Sequence, residues 1–292
     1  MMNDQMREDN IEKIMQSPSY RMAHRDLDFL DEPELRPVRM QLELLKPEMR
    51  FEEQNIGSTI VVFGSASVRE PVEAQRQFEQ AKAHLADTPN DERRQRRVAR
   101  AEELVKLSRY YDKAREFSRI VSECSQNDDR CDYVICTGGG PGIMEAANRG
   151  AFEIGAKTIG LNISLPREQE PNPYITPELC FQFHYFAMRK VHFLLRAKAL
   201  VAFPGGFGTF DELFQTLTLR QTNRMQKLPI ILFGSEFWNS VVDFKELAAR
   251  GVIDDRHLDL FRFADDPEEA WDMIKQYHSI HSDEPTESAE ER

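Results

Sequence analysis

The sequence lacks the features that would place it in a membrane or in an oxidising compartment. Although 40% of its 292 residues are hydrophobic, no uncharged apolar run reaches the roughly 18 to 20 residues that span a bilayer. The first ten residues, MMNDQMREDN, have no apolar signal-peptide core. The four cysteines show neither CxxC spacing nor a regular interval, which argues against a zinc site or a disulfide framework. We therefore expect a cytoplasmic protein with reduced, buried thiols, no bound metal and no membrane partner.

Basic residues are in deficit as well. The 38 Lys and Arg are outnumbered by 50 Asp and Glu, giving a formal net charge of -12. Long-range attraction to nucleic acid is therefore not expected. The basic cluster RRQRR at residues 93–97 could contact nucleic acid, but it is short and flanked by acids, so a solvated helical face explains it better. A small anionic ligand would need a local site.

Two common nucleotide signatures are also absent. A P-loop requires GxxxxGK[ST], and no glycine turn here is followed by that lysine and hydroxyl pair. The dinucleotide fingerprint GxGxxG fails because Ile143 follows Gly138 and Gly140 where the third glycine should stand. Gly160 also occupies the position, about twenty residues on, where an acid would bind the ribose. The sequence thus favours a mononucleotide or sugar phosphate over NAD, and it predicts no cofactor.

What the sequence does contain, from residue 58 onward, is an alternation of β-branched runs and helical stretches. Five runs read as buried strands: STIVVFGSASV, CDYVICTGGGPG, AKTIGLNIS, KALVAFPGG and LPIILFG. This alternation predicts an α/β fold, a Rossmann-like doubly wound parallel sheet with helices on both faces. Residues 1–57 are expected to form a partly helical N-terminal extension. The sheet domain is expected over 58–280, with a long helical insert near 71–123, and the acidic residues 281–292 are expected to be a disordered tail.

Three of the predicted strands end in turns made of small residues. The turns are Phe63–Ser67, Thr137–Gly142 and Pro204–Thr209. Because glycine, serine and threonine carry little bulk, the backbone amides of such turns can approach an anion closely. In a parallel sheet the carboxyl ends of the strands and the N-termini of the following helices meet at one edge. The sequence therefore predicts a phosphate cradle there, with Gly64 and Ser65 in its first turn.

Glu212 follows the third turn and has two interpretations. The spacing Thr209-x-x-Glu212 matches a capping box, in which the threonine hydroxyl accepts an amide N–H near residue 212 and the glutamate reaches back. The same helix N-terminus would hold the phosphate, so Glu212 would also lie about one turn from a bound anion. The spacing alone does not separate a cap from a catalytic group.

Arg189 is the second candidate group. It stands in the segment FHYFAMRKVHFLLR beside Lys190, and such cation pairs ordinarily lie on a solvated face. Arg189 is nevertheless flanked by Met188, Val191 and other apolar residues, and an arginine in such company needs a buried acidic partner or a ligand. His184 and His192 in the same segment are expected to be core or interface residues rather than metal ligands.

These motifs resemble those of the LONELY GUY (LOG) family. PGGFGTFDE is similar to the family motif PGGxGTxxE, MRK matches its arginine-lysine pair, and with TGGGPGIMEAANRGA the resemblance covers about residues 58–280. Family members, often mislabelled lysine decarboxylases, cleave the N-glycosidic bond of nucleoside 5'-monophosphates to a free base and ribose 5-phosphate. The resemblance implies a purine nucleoside monophosphate such as AMP, or a cytokinin ribotide, as substrate, and a homodimer or higher homo-oligomer.

The resemblance also assigns residues to roles. Arg189 and Glu212 fall on the two catalytic positions. The Glu212 carboxylate would stabilise oxocarbenium character on the ribose and orient the attacking water, while Arg189 would keep it ionised and position the nucleotide. The implied substrate contacts are Gly64, Ser65, Gly139, Gly140, Gly142, Glu145, Met188, Lys190, Gly205, Gly206, Gly208 and Thr209. Glu145 would bind ribose hydroxyls or serve only as an acidic partner of its helix dipole.

Three alternatives stay open at this stage. Related folds containing TGGGPGIMEAAN carry molybdenum cofactor, a pterin phosphate, without hydrolysing it, although the intact arginine and PGGxGTxxE motifs argue against a carrier. A scaffold with a vestigial pocket is another alternative, but no feature of the sequence supports it. The apolar segment Tyr185–Leu195 would form either a subunit interface or a buried helix within the chain.

Overall fold

A computed structural model describes residues 4–126, 130–165 and 170–280. Contacts divide the chain into two units, Met1–Lys46 and Pro47–Arg292. The first unit holds helix α1 (Asp4–Gln16), the short helix α2 (Leu27–Leu30) and the start of helix α3 (Arg36–Glu53). The tail expected at residues 281–292 lies outside the described residues.

The second unit is built on one sheet in which every strand pair is parallel. Its strands are β1 (Thr59–Phe63), β2 (Val134–Thr137), β3 (Thr158–Ile163), β4 (Cys180–Phe183), β5 (Ala197–Ala202), β6 (Ile230–Phe233) and β7 (Phe261–Ala264). The α-helices that follow α3 in the described residues are α4 (Pro71–Ala86), α5 (Glu92–Leu107), α6 (Arg109–Ser125), α7 (Ile143–Phe152), α8 (Phe186–Leu195), α9 (Phe207–Gln221), α10 (Ser235–Val241), α11 (Phe244–Ala249) and α12 (Pro267–Ile280).

The strand order makes the sheet doubly wound. Across the sheet the order is β4-β3-β2-β1-β5-β6-β7, so the chain moves outward from β1 in one direction and then returns to build the other half from β5. This is the Rossmann-type arrangement, in which ligands bind outside the carboxyl ends of the strands where the winding reverses. The predicted fold class is confirmed. The place where β1 lies between β2 and β5 is the reversal point.

Both faces of the sheet are covered, because successive side chains of a strand point to opposite sides. On β1, Ile60 and Val62 pack into a cluster with residues of α6, α7 and α12, while Val61 and Phe63 pack into a second cluster with residues of α8, α9 and α10. Phe51, at the end of α3, joins the second cluster through an edge-on contact with Phe181. The continuous apolar runs of the sequence thus form a three-layer core.

The long helical insert consists of two different parts. Helices α4 and α5 pack against each other as a hairpin, and α5 buries none of its residues. Asp91 accepts hydrogen bonds from the amides of Arg93 and Arg94 and so caps α5. Helix α6, in contrast, buries Tyr111, Phe117 and several other residues against the sheet and is a core helix. The charged sequence of residues 86–100 belongs to the exposed hairpin.

The cysteines only partly follow the expectation of buried thiols. None of the four forms a disulfide; Cys131 and Cys136 are buried, but Cys124 is exposed and Cys180 is partly exposed. Cys124 lies on the last turn of α6 and is not among the residues that this helix buries. In the described part of the chain no group of three His, Cys, Asp or Glu is placed to hold a metal ion. None of the described helices is long and apolar enough to cross a bilayer.

Candidate active site

The three small-residue turns meet at the reversal point, and Ser65 joins them. Its backbone N–H donates to the carbonyl of Pro204, at 3.0 Å, in the turn after β5. Its carbonyl accepts the N–H of Ile143, at 3.1 Å, at the start of α7 after β2. Its Oγ accepts the N–H of Ser67 at 3.0 Å. Ser65 therefore holds the predicted cradle together, and its own amide is engaged rather than directed to a ligand.

Gly142 shows why the second turn requires glycine. Its φ of +76° lies in the left-handed region, and a Cβ added there would stand 2.3 Å from the backbone carbonyl oxygen of Ser65. Neither condition tolerates a side chain. Gly142 precedes α7 and offers no side-chain cap, so the amides of Met144 and Glu145, which follow the Ile143 N–H bound to Ser65, are left at the edge of the sheet.

A buried polar network supports the second turn from beneath. Asn148 on α7 accepts a hydrogen bond from Thr137 Oγ1 at 2.7 Å and from Asn172 Nδ2 at 2.9 Å. Asn172 also donates its backbone N–H to the carbonyl of Gly139 and its Nδ2 to the carbonyl of Gly140, at 2.8 and 3.0 Å. The network fixes the two predicted contact residues Gly139 and Gly140. Sequence analysis missed both asparagines because their role depends on partners distant in the chain.

The capping box predicted for Thr209 and Glu212 in the third turn is wrong. Helix α9 begins at Phe207 with Gly206 as its N-cap, and no side chain caps it. Thr209 is therefore the third residue of the helix, buried beside Gly205, where it stands too late to act as the cap. Without a cap side chain, the first amides of α9 are directed at the same edge as those of α7. Phe207 is 96% exposed at this helix start.

Helix α8 holds Arg189 against the second turn. Its Nε donates to the carbonyl of Leu161 on β3 at 2.8 Å, and its guanidinium lies 5.1 Å from the ring centroid of Phe193. Its Nη2 lies 2.6 Å from where a Cβ on Gly138 would stand. Burial lowers the pKa of Arg189, and the charge of Glu212 opposes that shift. The guanidinium stays charged and is fixed by the sheet below it.

Glu212 is the acid that Arg189 faces. It lies on α9, partly buried, and burial raises the pKa of its carboxyl above the ordinary value while Lys190 and Arg189 act to lower it. In the described part of the chain no ion pair within 4 Å joins Arg189 to Glu212. Lys190 instead pairs with the neighbouring Asp211, with Nζ and Oδ2 2.6 Å apart. The site thus has two cations from α8 facing two acids from α9.

The remaining predicted residues take supporting positions. Glu145, in the first turn of α7, accepts the hydroxyl of Tyr111 at 2.8 Å, and burial together with this bond raises the pKa of Tyr111. Met188 is partly buried and packs against the core cluster. Gly64, at the end of β1, lies against the side chain of Ile143 on α7. Gly208 has no neighbour within 4 Å of a Cβ built on it.

The two histidines of the segment that carries Arg189 differ in burial. His192 is buried, with Nδ1 3.4 Å from Oε1 of Glu48, whereas His184 is exposed. Arg196 joins the same carboxylate, with its Nη2 2.8 Å from Oε2 of Glu48. This cluster lies at the C-terminal end of α8 and fixes the helix that carries Arg189. Its role is structural.

Comparisons with known proteins agree with the motifs. The family model described as "Possible lysine decarboxylase" matches residues 144–274, which include Arg189 and Glu212. The pyrimidine/purine nucleotide 5'-monophosphate nucleosidase of Escherichia coli K12 is 34% identical over 111 residues, covering 34% of this chain and 24% of that protein. Cytokinin riboside 5'-monophosphate phosphoribohydrolase LOG3 of Arabidopsis thaliana is 25% identical over 179 residues, covering 60% of this chain and 79% of that protein. The resemblance to the LOG family is confirmed.

The chain spans about a quarter of the length of the bacterial nucleosidase. Among solved structures, a structural genomics target named TM1055 is similar with a TM-score of 0.46 and 21% identity, over 75% of this chain and 99% of that one. The molybdenum cofactor binding protein of Rippkaea orientalis is similar with a TM-score of 0.42 and 19% identity, over 57% of this chain and 87% of that one. Both TM-scores lie below 0.5, so neither similarity bears on function.

Proposed function

We propose that the chain hydrolyses the N-glycosidic bond of a nucleoside 5'-monophosphate, releasing the free base and ribose 5-phosphate. The observation that carries this proposal is the mutual electrostatic influence of Arg189 and Glu212, both partly buried, beside the turns that meet at the edge of the sheet. A buried carboxylate with an elevated pKa beside a fixed cation is typical of a catalytic site rather than of a surface ion pair.

The geometry supports separate roles for the helix starts, which would bind the phosphate, and for Glu212 and Arg189, which would act on the ribosyl bond. The uncapped starts of α7 and α9 direct backbone amides and positive dipole ends toward one anion, which suits the 5'-phosphate. Cleavage of the ribosyl bond builds positive charge on the sugar, which the Glu212 carboxylate would stabilise while it orients the attacking water. Arg189 would keep Glu212 ionised and position the nucleotide, since its own proton is not available for transfer.

The base we propose is a purine, with AMP as the first candidate. The sequence GGGPGIMEAANRG differs from the GGGxxGLMG form typical of cytokinin-activating members, and the chain adds a helical extension and the α4–α5 hairpin. The E. coli relative is named for both pyrimidine and purine nucleotides, and the plant relatives are named for cytokinin ribosides. These names give the range of bases to test.

The experiment is release of free base from AMP, GMP, IMP, CMP, UMP and isopentenyl-AMP, followed by chromatography. Glu212→Gln keeps the size of the side chain and removes its charge, so we expect turnover to fall about 100-fold or more with nucleotide binding retained. Glu246→Gln, an exposed glutamate on α11 paired with Arg250, is the matched control and should be unaffected. Nucleotide binding by the wild type without release of any base would favour a phosphate-ligand carrier.

We further propose that the protein is cytoplasmic and forms a homodimer or higher homo-oligomer. In helix α8, His192 and Phe193 are buried, whereas Phe186, Val191 and Leu195 are 52%, 39% and 47% exposed. Val191 and Leu195, one turn apart, form an exposed apolar patch, and Phe186 is exposed at the first residue of the helix; these groups suit contact with a second copy of the chain. Light scattering tests this; a mass corresponding to one chain at micromolar concentration would reject it.

A further inference from the structure

A polar cavity adjoins the loop that carries Gly64 and Ser65 but is lined by other residues. It has a volume of about 490 Å³ and is formed between the α4–α5 hairpin and the loop that follows β1. None of the predicted active-site residues lines it. Cavities of a few hundred Å³ with convergent polar groups are typical of small-ligand sites. Its lining includes four arginines, Arg69, Arg76, Arg97 and Arg100.

The charges around this cavity do not cancel. Arg76 forms a two-point ion pair with Glu73, with both N to O distances 2.6 Å, and that pair is internal to α4. Arg69 donates Nη1 to the carbonyls of Ala66 and Val68, which are neutral acceptors. In the described part of the chain neither Arg97 nor Arg100 forms a hydrogen bond or an ion pair. Among the described residues, Arg69, Arg97 and Arg100 therefore have no carboxylate oxygen within 4 Å.

This concentration of positive charge stands out because the chain as a whole carries a formal charge of -12. Arginines forced together repel one another unless an anion lies between them. Their planar forks match phosphate oxygens, and Ser67 and Gln77 add neutral donors to the same cavity. The chemistry of the lining is therefore that of a phosphate site.

The arrangement of the arginines also favours a small ligand over nucleic acid. Within the basic cluster of residues 93–97, Arg94 donates to the carbonyl of His84 and Arg96 pairs with Glu92 on the outer face of α5. Arg97 and Arg100, one turn apart, are the α5 arginines that line the cavity. A long basic groove or flat basic face would follow a nucleic acid backbone, whereas four arginines around one cavity, of which Arg76, Arg97 and Arg100 are solvent-exposed, suit a compact anion.

We propose that this cavity binds a small anion that carries two or more phosphate groups. Three arginines without an ion pair exceed what one phosphate group needs, and the volume accommodates a diphosphate or a larger phosphorylated molecule. The site adjoins the loop of Gly64 and Ser65, because Ser67 and Arg69 belong to that same loop. The proposal does not depend on the reaction proposed for Arg189 and Glu212.

The test is calorimetric titration of the full chain with inorganic pyrophosphate at low ionic strength. We expect the double variant Arg97→Ala/Arg100→Ala to bind pyrophosphate at least tenfold more weakly than the wild type. The matched control is Arg96→Ala/Lys106→Ala, which removes the same charge from α5 at ion-paired positions outside the cavity and should shift affinity by less than about threefold. The glycine turns are intact in both variants, so pyrophosphate bound there contributes equally to each.

Four results would overturn the proposal. The first is a wild type that binds no pyrophosphate, and the second is an affinity unchanged in Arg97→Ala/Arg100→Ala. The third is equal weakening in the two double variants, which would indicate the general field of α5. In the fourth, Arg97→Ala/Arg100→Ala weakens binding of a 20-nucleotide RNA but not of pyrophosphate, which would assign these arginines to nucleic acid. Far-ultraviolet circular dichroism confirms beforehand that both variants are folded.

Discussion

The guanidinium of Arg189 occupies the space in which a side chain of residue 138 would stand. Nη2 of Arg189 lies 2.6 Å from the position of a Cβ built on Gly138, and Sδ of Met144 lies 2.9 Å from it. The second small-residue turn is therefore shaped around the arginine as well as around a ligand. Because Arg189 also donates to the carbonyl of Leu161, its position is determined from two sides.

Replacement of Gly138 by alanine should lower activity with little effect on stability. The added methyl group displaces the flexible end of Arg189 and not the backbone, so folding loses little, whereas misplacement of a catalytic group by about 1 Å costs up to about 100-fold in rate. Base release and thermal unfolding measure the two effects. Gly155→Ala is the control: alanine at its φ of +76° costs about 1–2 kcal/mol of stability, but a Cβ there has no neighbour within 4 Å, so the rate should be unchanged.

Glu212→Gln should stabilise the protein at neutral pH. The pKa of Glu212 is raised in the folded state, so the folded protein holds the proton more tightly than the unfolded chain does. Ionisation therefore costs stability once the pH exceeds the ordinary carboxyl pKa of about 4.3, and the cost is complete above the folded pKa. Glutamine mimics the protonated form and avoids that cost.

The gain from Glu212→Gln should accordingly be present at pH 7 and absent below about pH 4. Urea unfolding at both pH values measures it, with Glu246→Gln as the exposed control that should show no gain at either. A variant less stable than the wild type at pH 7 would show that the carboxylate contributes net stabilisation. The wild-type rate should fall on the acid side, as Glu212 becomes protonated.

Asn148→Ala should destabilise the second turn. Asn148 is completely buried and satisfies Thr137, Thr158 and Asn172 together. Each buried polar group left without a partner costs about 1–3 kcal/mol, so we expect the free energy of unfolding to fall by about 2–4 kcal/mol. The exposed Asn239→Ala should change it by less than about 0.5 kcal/mol. Equal unfolding curves for the two variants would refute the network.

Glu48→Gln should lower the stability of the protein in a pH-dependent way, because Glu48 holds the C-terminal end of α8. Burial raises the pKa of Glu48, but the neighbouring His192 and the hydrogen-bonded Arg196 outweigh it and hold the pKa below the ordinary value. The stabilisation is therefore present above a pH of about 4.3 and is lost as the pH falls further. We expect a loss of about 1–3 kcal/mol at pH 7. Glu52→Gln, exposed on the same helix, is the control, and a similar loss there would contradict the assignment.

The central strands were predictable from sequence because strands buried on both faces appear as continuous apolar runs. β1, β2, β3, β5 and β6 are continuous runs of β-branched and aliphatic residues covered by helices on both sides. β4 (CFQF) and β7 (FRFA) were not predicted. They are the two edge strands, only four residues long, and each carries a polar residue where one side is exposed.

The candidate site was predictable in its residue types but not in its contacts. The motifs located Arg189, Glu212 and the glycines, yet spacing suggested a Thr209 cap that the helix start at Phe207 rules out. Asn148 lies in the quoted motif and Asn172 lies outside it, and their function arises only when three chain segments meet. Such tertiary networks have no local periodicity to reveal them.

The most direct test of the proposed reaction is product analysis after incubation of the wild-type protein with AMP. Hydrolysis of the N-glycosidic bond consumes one water and predicts adenine and ribose 5-phosphate in equal amounts, with no adenosine and no inorganic phosphate. Adenosine with inorganic phosphate would mean attack at the phosphate ester, which contradicts the roles given to Arg189 and Glu212. If AMP and every other nucleotide of the panel were recovered intact, the chain would not be a nucleoside monophosphate hydrolase.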